Sequence, residues 1–128
     1  MIEFKNVSKV YDNGSVALDD VCLTINDGEF VLVCGHSGAG KSTLFKLLTH
    51  EVVPDAGTVI VDDFDVTRMK RSKIPKLRRK LGVVFQDFRL LPNKTVAENI
   101  AFALEVIEEK PKIIKEKVSH VLDLVGLS

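Results

Sequence analysis

The chain has no tryptophan, a single tyrosine, two cysteines and four prolines in 128 residues. Two cysteines cannot form the framework of a disulfide-stapled fold, and Cys22 and Cys34 lack the paired spacing of a structural metal site. Both lie in strand-like apolar segments and are expected to be reduced, buried thiols. No apolar run approaches the roughly 18 residues of a membrane-spanning helix. The opening residues, Met1-Ile2-Glu3-Phe4-Lys5, have no apolar core of a secretory leader. An excess of one charge is missing too, because 18 basic residues balance 18 acidic ones. Global charge therefore offers nothing to a nucleic-acid partner, and none is expected. The remaining composition, 45% hydrophobic and 28% charged, is that of an ordinary soluble globular chain with material for one core.

Glycine is scarce as well, eight in all, yet three fall within Gly35–Gly40. The run Gly35-His36-Ser37-Gly38-Ala39-Gly40-Lys41-Ser42-Thr43 fits G-x-x-x-x-G-K-[ST], the phosphate-binding P-loop. Phosphates need several N–H donors converging on one point, and glycines let the backbone fold that tightly. A helix starting at the loop's end adds its unpaired N–H groups and the positive end of its dipole. Lys41 can reach the β- and γ-phosphates, and the Ser42 hydroxyl can bind Mg²⁺. The flanks fit the motif: Phe30–Cys34 is an apolar run of buried-strand type, and Leu44–Leu48 has helical character. A Gly-rich turn with a surface lysine is the bland alternative, and it explains neither flank.

The rest of the chain frames this loop. Residues 2–10 and 16–25 have β character around the turn signal Tyr11–Ser15, which predicts a hairpin. A helix is expected from Lys41 to about His50, then a break at Pro54–Gly57 and a short strand at Thr58–Val61. Arg68–Lys80 holds eight basic residues in thirteen and is at most partly helical. Such a run is usually a solvated face, and its functional alternative is contact with an anionic membrane surface. Leu81–Phe85 reads as another buried strand. Thr95-Val96-Ala97-Glu98 is a capping box opening a helix to about Glu109. Lys110-Pro111 starts a last helix that ends near Val125, with Gly126 as its stop. His50 and His120 read as helix-surface residues. The order suggests a β-rich and P-loop part, residues 1–87, and a helical part, residues 88–128, with a junction near Gln86.

Phosphate binding alone hydrolyses nothing. Mg²⁺ also needs a carboxylate at the end of a neighbouring strand, and the attacking water needs a positioning group. Asp62, after Val59-Ile60-Val61, imitates such a carboxylate, but a hairpin with a solvated acidic tip is the better reading. Val83-Val84-Phe85-Gln86-Asp87 places an amide, not an acid, at its strand end.

Three segments together carry a resemblance: Gly38-Ala39-Gly40-Lys41-Ser42-Thr43-Leu44, Leu81-Gly82-Val83-Val84-Phe85-Gln86, and Leu90-Leu91-Pro92-Asn93-Lys94-Thr95-Val96-Ala97-Glu98-Asn99-Ile100. From its first residue to its last the chain resembles the nucleotide-binding domain of ABC-type ATPases. His36 within the loop, and the run from Arg78 to Leu91, make it most like the cell-division branch of that family. Amino-acid importers and lipoprotein exporters share most of the same pattern.

The resemblance implies an α/β fold: a P-loop NTPase core, with an antiparallel hairpin region and a parallel-sheet core, followed by the start of a helical subdomain. It implies ATP and Mg²⁺ as ligands. Tyr11 matches the aromatic that stacks on adenine, with Val16 beside the base; the alternative is a turn tyrosine covering a strand edge. Stacking needs the ring and not the hydroxyl, so Tyr11→Phe is expected to bind normally. Gly35, His36, Ser37, Gly38, Ala39, Gly40, Lys41, Ser42 and Thr43 would hold the phosphates, with Lys41 and Gln86 in the catalytic machinery. Ser42 and the Gln86 amide would reach Mg²⁺. The His36 side chain points away from phosphates in such loops, so no catalysis is assigned to it. The implied partners are a transmembrane permease-like subunit, on which the helices from Thr95 onward dock, and a second copy facing the nucleotide. The implied location is cytoplasmic, peripheral on the inner face of the cell membrane. The family's Leu-Ser-Gly-Gly signature, the strand ending in Asp-Glu and the switch histidine have no counterpart before Ser128. The expectation is therefore a truncated domain that binds nucleotide without turning it over.

Overall fold

A computed structural model describes all residues, 1–128, and divides them into two units, Met1–Val83 and Val84–Ser128. The first unit is organised by a four-stranded antiparallel sheet in the order β2-β1-β3-β4. Its strands are β1 (Ile2–Val10), β2 (Val16–Ile25), β3 (Ala56–Val61) and β4 (Phe64–Asp65). Phe4 pairs with Leu23 on one side and with Val59 on the other. Period-two alternation puts Phe4, Val59 and Val61 on the buried face, where cross-strand apolar pairs stabilise a sheet. The alternation breaks at a bulge, where the register between β1 and β2 shifts after Phe4. Asn6 and Asp20 there both have left-handed backbone, φ 50 and 49, and the Asn6 amide donates to the Asp20 carboxylate at 2.8 Å. Gly57 meets that bulge at φ 83, and a Cβ on it would sit 2.2 Å from the Asn6 carbonyl oxygen. No other residue type fits so close a backbone approach.

Helix α1 (Lys41–Leu48) and helix α2 (Ile74–Lys80) complete this unit. Leu47 from α1 and Leu77 from α2 are fully enclosed with Val7, Leu18 and Val66. Two short 3-10 turns, Val66–Arg68 and Arg71–Lys73, lead into α2. Pro75 in its first turn costs no hydrogen bond there. The basic stretch is thus partly helical, and part of it is structural. Arg78 Nε donates to the Thr49 carbonyl at 3.0 Å, placing a cation where the helix dipole of α1 is negative. His50 follows in left-handed backbone, φ 56, just beyond the helix rather than on its surface. Burial, and then the Arg78 charge, hold its imidazole pKa below the usual histidine value. Asp62 lies at the tip of the β3–β4 hairpin, bonded to the Met1 ammonium at 2.6 Å and 3.8 Å from Lys80. It is a solvated hairpin acid, with its pKa lowered by the terminal ammonium.

Several expected features do not form. Phe30–Cys34 and Leu81–Phe85 have no regular secondary structure and lie outside any ladder, so no parallel-sheet core exists among residues 1–128. Buried strands need partners on both edges and cover on both faces. Phe30 is 90% exposed and Val84 98%. Both cysteines are exposed free thiols, because Cys34 belongs to the first of these segments and Cys22 points out of β2.

In the second unit an irregular stretch leads to α3 (Val96–Val106) and α4 (Pro111–Leu124), which pack on each other. Thr95 closes the capping box: its hydroxyl accepts from the Glu98 amide, and the Glu98 carboxylate accepts from the Thr95 amide at 2.7 Å. Asn99 ties the preceding loop down, its carboxamide bonding both backbone groups of Leu91 and the Thr95 carbonyl. Gly126, φ 72, ends α4. No helix is long and apolar enough to cross a membrane.

Candidate nucleotide-binding site

The glycine-rich loop turns at His36–Ala39, where the Ala39 amide donates to the His36 carbonyl at 3.1 Å. Gly38 and Gly40 hold φ values of 83 and 90, which side-chain-bearing residues adopt only under strain. Gly40 is also the residue from which α1 starts. A Cβ there would lie 2.2 Å from the Ala17 carbonyl oxygen and 3.0 Å from Leu18 Cδ2. The loop therefore rests on β2, beside Val16, which is exposed.

The Lys41 ammonium folds back into the loop, donating to the Gly35 carbonyl and to the His36 carbonyl at 2.8 Å. His36 contributes through its backbone while its imidazole is on the surface. No side chain caps α1, and its first turn has no acidic residue. Its leading amides are left to an external acceptor, at the positive end of the helix. Ser42 is exposed at this end, whereas Thr43 is buried. Ammonium, uncapped amides, glycine turns and an exposed hydroxyl form a donor set suited to a polyphosphate with its counter-cation. No group of three or more His, Cys, Asp or Glu side chains could hold a metal by itself.

Tyr11 begins the turn after β1, with its amide bonded to the Ser15 carbonyl at 2.9 Å. Its hydroxyl meets the Thr43 hydroxyl at 3.0 Å, so the tyrosine is joined to the first turn of α1. Gln86 belongs to the second unit. It is exposed in a turn where the Arg89 guanidinium lies 3.8 Å from the Phe85 ring centroid. The structure thus brings Tyr11, Val16 and residues 35–43 into one unit. Sequence reasoning missed the Tyr11–Thr43 bond and an ion-paired turn at Asp55. Both span more than thirty residues of chain, and no local spacing announces them.

Residues 18–128 match the ABC transporter family, and the chain belongs to it. Among curated relatives, the cell division ATP-binding protein FtsE of Bacillus subtilis is 54% identical over 127 residues, covering 99% of this chain and 56% of its own length. The methionine import ATP-binding protein MetN of Helicobacter pylori is 42% identical over 127 residues, 99% of this chain and 39% of that protein. Among solved structures, the dimeric post-hydrolysis state of the ATP-binding cassette MJ0796, bound to ADP and Pi, superposes with a TM-score of 0.87 at 32% identity. That match covers 100% of this chain and 58% of the other. The fold is that of an ABC nucleotide-binding cassette, and the chain spans about half the length of the curated relatives it matches.

Proposed function

We propose that the protein to which this chain belongs binds Mg-ATP and hydrolyses it as an ABC ATPase serving cell division. The observation that carries this reading is the Lys41 ammonium drawn into a glycine loop that ends in an uncapped helix. Lys41 and the leading α1 amides hold the phosphates, Tyr11 and Val16 receive the base, and Ser42 with Gln86 reaches the cation. Bound Mg²⁺ neutralises charge developing on the phosphates. Similarity to FtsE favours the cell-division role, with a permease-like transmembrane subunit of the FtsX kind as partner and a cytoplasmic location on the inner face of the membrane. The dimeric MJ0796 structure favours a homodimer across the nucleotide. The 42% identity to MetN supports a second reading, the ATPase subunit of an importer; a lipoprotein exporter shares the same motifs. Residues 1–128 alone bind nucleotide without turning it over, because neither Asp62, paired with the Met1 ammonium, nor Asp87 replaces a water-positioning acid.

The test is titration of ATP against the wild type and Lys41→Ala. Losing a charge-assisted contact should weaken binding about tenfold to a hundredfold. Equal affinities would remove the phosphate site. Phosphate release from residues 1–128, abolished by Lys41→Ala, would show that they contain their own carboxylate.

A further inference from the structure

Resting on the reading of Tyr11 as the base platform, we infer that Asp55, Lys9 and Thr43 are its positioning residues, holding the ring before nucleotide arrives. Asp55 sits in the turn that opens β3, and its amide is bonded to the Ser8 carbonyl at 2.9 Å. Its carboxylate accepts from the Val10 amide at 2.7 Å and lies 3.8 Å from Lys9 Nζ. The Lys9 side chain is largely buried, 14% exposed, unlike a free surface lysine. Its ammonium stands over the Tyr11 ring, 5.7 Å from the centroid, within cation–π range. The far end of the ring is held by Thr43 at 3.0 Å, and Thr43 is itself 5% exposed. The aromatic is therefore fixed at one face by a cation and at its hydroxyl by the phosphate-loop helix.

Two consequences follow. An aromatic has two faces; with Lys9 on one, a stacked base takes the other. The Thr43 bond also sets the distance from base platform to phosphate cradle, because Thr43 follows Lys41 and Ser42 in the same helical turn. Pre-ordering spares the nucleotide the entropy of fixing the ring. The Tyr11 hydroxyl thus matters even though stacking itself does not need it. Tyr11→Phe, expected from stacking alone to bind normally, loses this anchor.

The chain contains one tyrosine and no tryptophan, so its intrinsic ultraviolet emission reports Tyr11 alone. The experiment measures the anisotropy of that emission without ligand in the full chain, for wild type, Lys9→Met, Asp55→Asn and Thr43→Val. Each variant should free the ring and lower the anisotropy. ATP and inorganic tripolyphosphate are then titrated against Lys9→Met, Asp55→Asn and Tyr11→Phe. ATP affinity should fall more than tripolyphosphate affinity, by about threefold to tenfold for Tyr11→Phe, the worth of one hydrogen bond. Unchanged anisotropy in all three variants would overturn the positioning role, as would equal losses for both ligands. Tyr11→Ala separates the two levels. If Tyr11→Ala binds ATP normally, the platform reading itself fails. If it weakens ATP binding while Lys9→Met, Asp55→Asn and Tyr11→Phe do not, the platform stands and only the positioning residues fail.

Discussion

The two units differ in what they enclose. All eight buried apolar side chains, from Phe4 to Leu77, lie in Met1–Val83, and none lies in Val84–Ser128. The first unit joins two hairpins distant in sequence into one sheet through the β1–β3 pairing, and apolar side chains from both gather on a shared face. The second packs its two helices on each other, and it leaves Phe88, Leu90 and Leu124 in water. Its order comes from polar devices instead: the capping box at Thr95, the Asn99 carboxamide, and the Lys117–Glu109 pair at 2.9 Å. One unit is held by burial and the other by end-capping, so they should fail under different insults.

The sharpest break comes from truncating one leucine in each. Leu47→Ala opens a cavity in the enclosed core and should cost about 2–5 kcal/mol. Leu122→Ala, half-buried on α4, should cost under about 1 kcal/mol. Urea unfolding monitored by circular dichroism measures both. Similar losses would mean that the second unit has a core of its own.

A smaller effect should come from Thr95→Ala, which removes one half of the capping box at a cost of about 1 kcal/mol. Hydrogen exchange should show the α3 amides less protected while β1 and β3 are unchanged. Loss of protection in the sheet as well would mean that the two units open together.

The smallest effect should be set by pH. The Thr95 amide, and then its hydroxyl, hold the Glu98 pKa below the usual glutamate value. A depressed folded-state pKa contributes stability that is complete above the unfolded value and is lost as pH falls through the folded one. Acidification below the ordinary glutamate range should therefore fray α3 before the sheet responds, as residue-resolved exchange or amide chemical shifts can follow. Glu98→Gln should remove that pH dependence. Simultaneous melting of both units would sink the idea.

The sequence showed what is local. The phosphate loop, the hairpin around Tyr11–Ser15 and the Thr95 capping box each occupy a few consecutive residues whose types state their own geometry. The runs Phe30–Cys34 and Leu81–Phe85 have the composition of buried strands, but composition does not supply a neighbour, and within residues 1–128 no ladder forms beside them. The expectation of buried cysteines failed for the same reason at Cys34. The contacts around Tyr11 were invisible because Thr43 reaches its hydroxyl, and Asp55 reaches the neighbouring Val10 and Lys9, only once α1 and the turn before β3 have folded against β1. Arg78 was counted with a basic run, and only its bond to Thr49 distinguishes it from its neighbours.

Two glycines of the phosphate loop differ in one respect. A methyl group on Gly38 would meet nothing within 4 Å, whereas one on Gly40 would collide with the Ala17 carbonyl. A lineage that abandoned phosphate could let Lys41 drift and let Gly38 become asparagine, which tolerates left-handed backbone. It could not release Gly40 without rebuilding the hairpin. In a degenerate descendant of this chain, a surviving Gly40 would testify to ancestry of the scaffold, and only a surviving Lys41 would testify to retained chemistry.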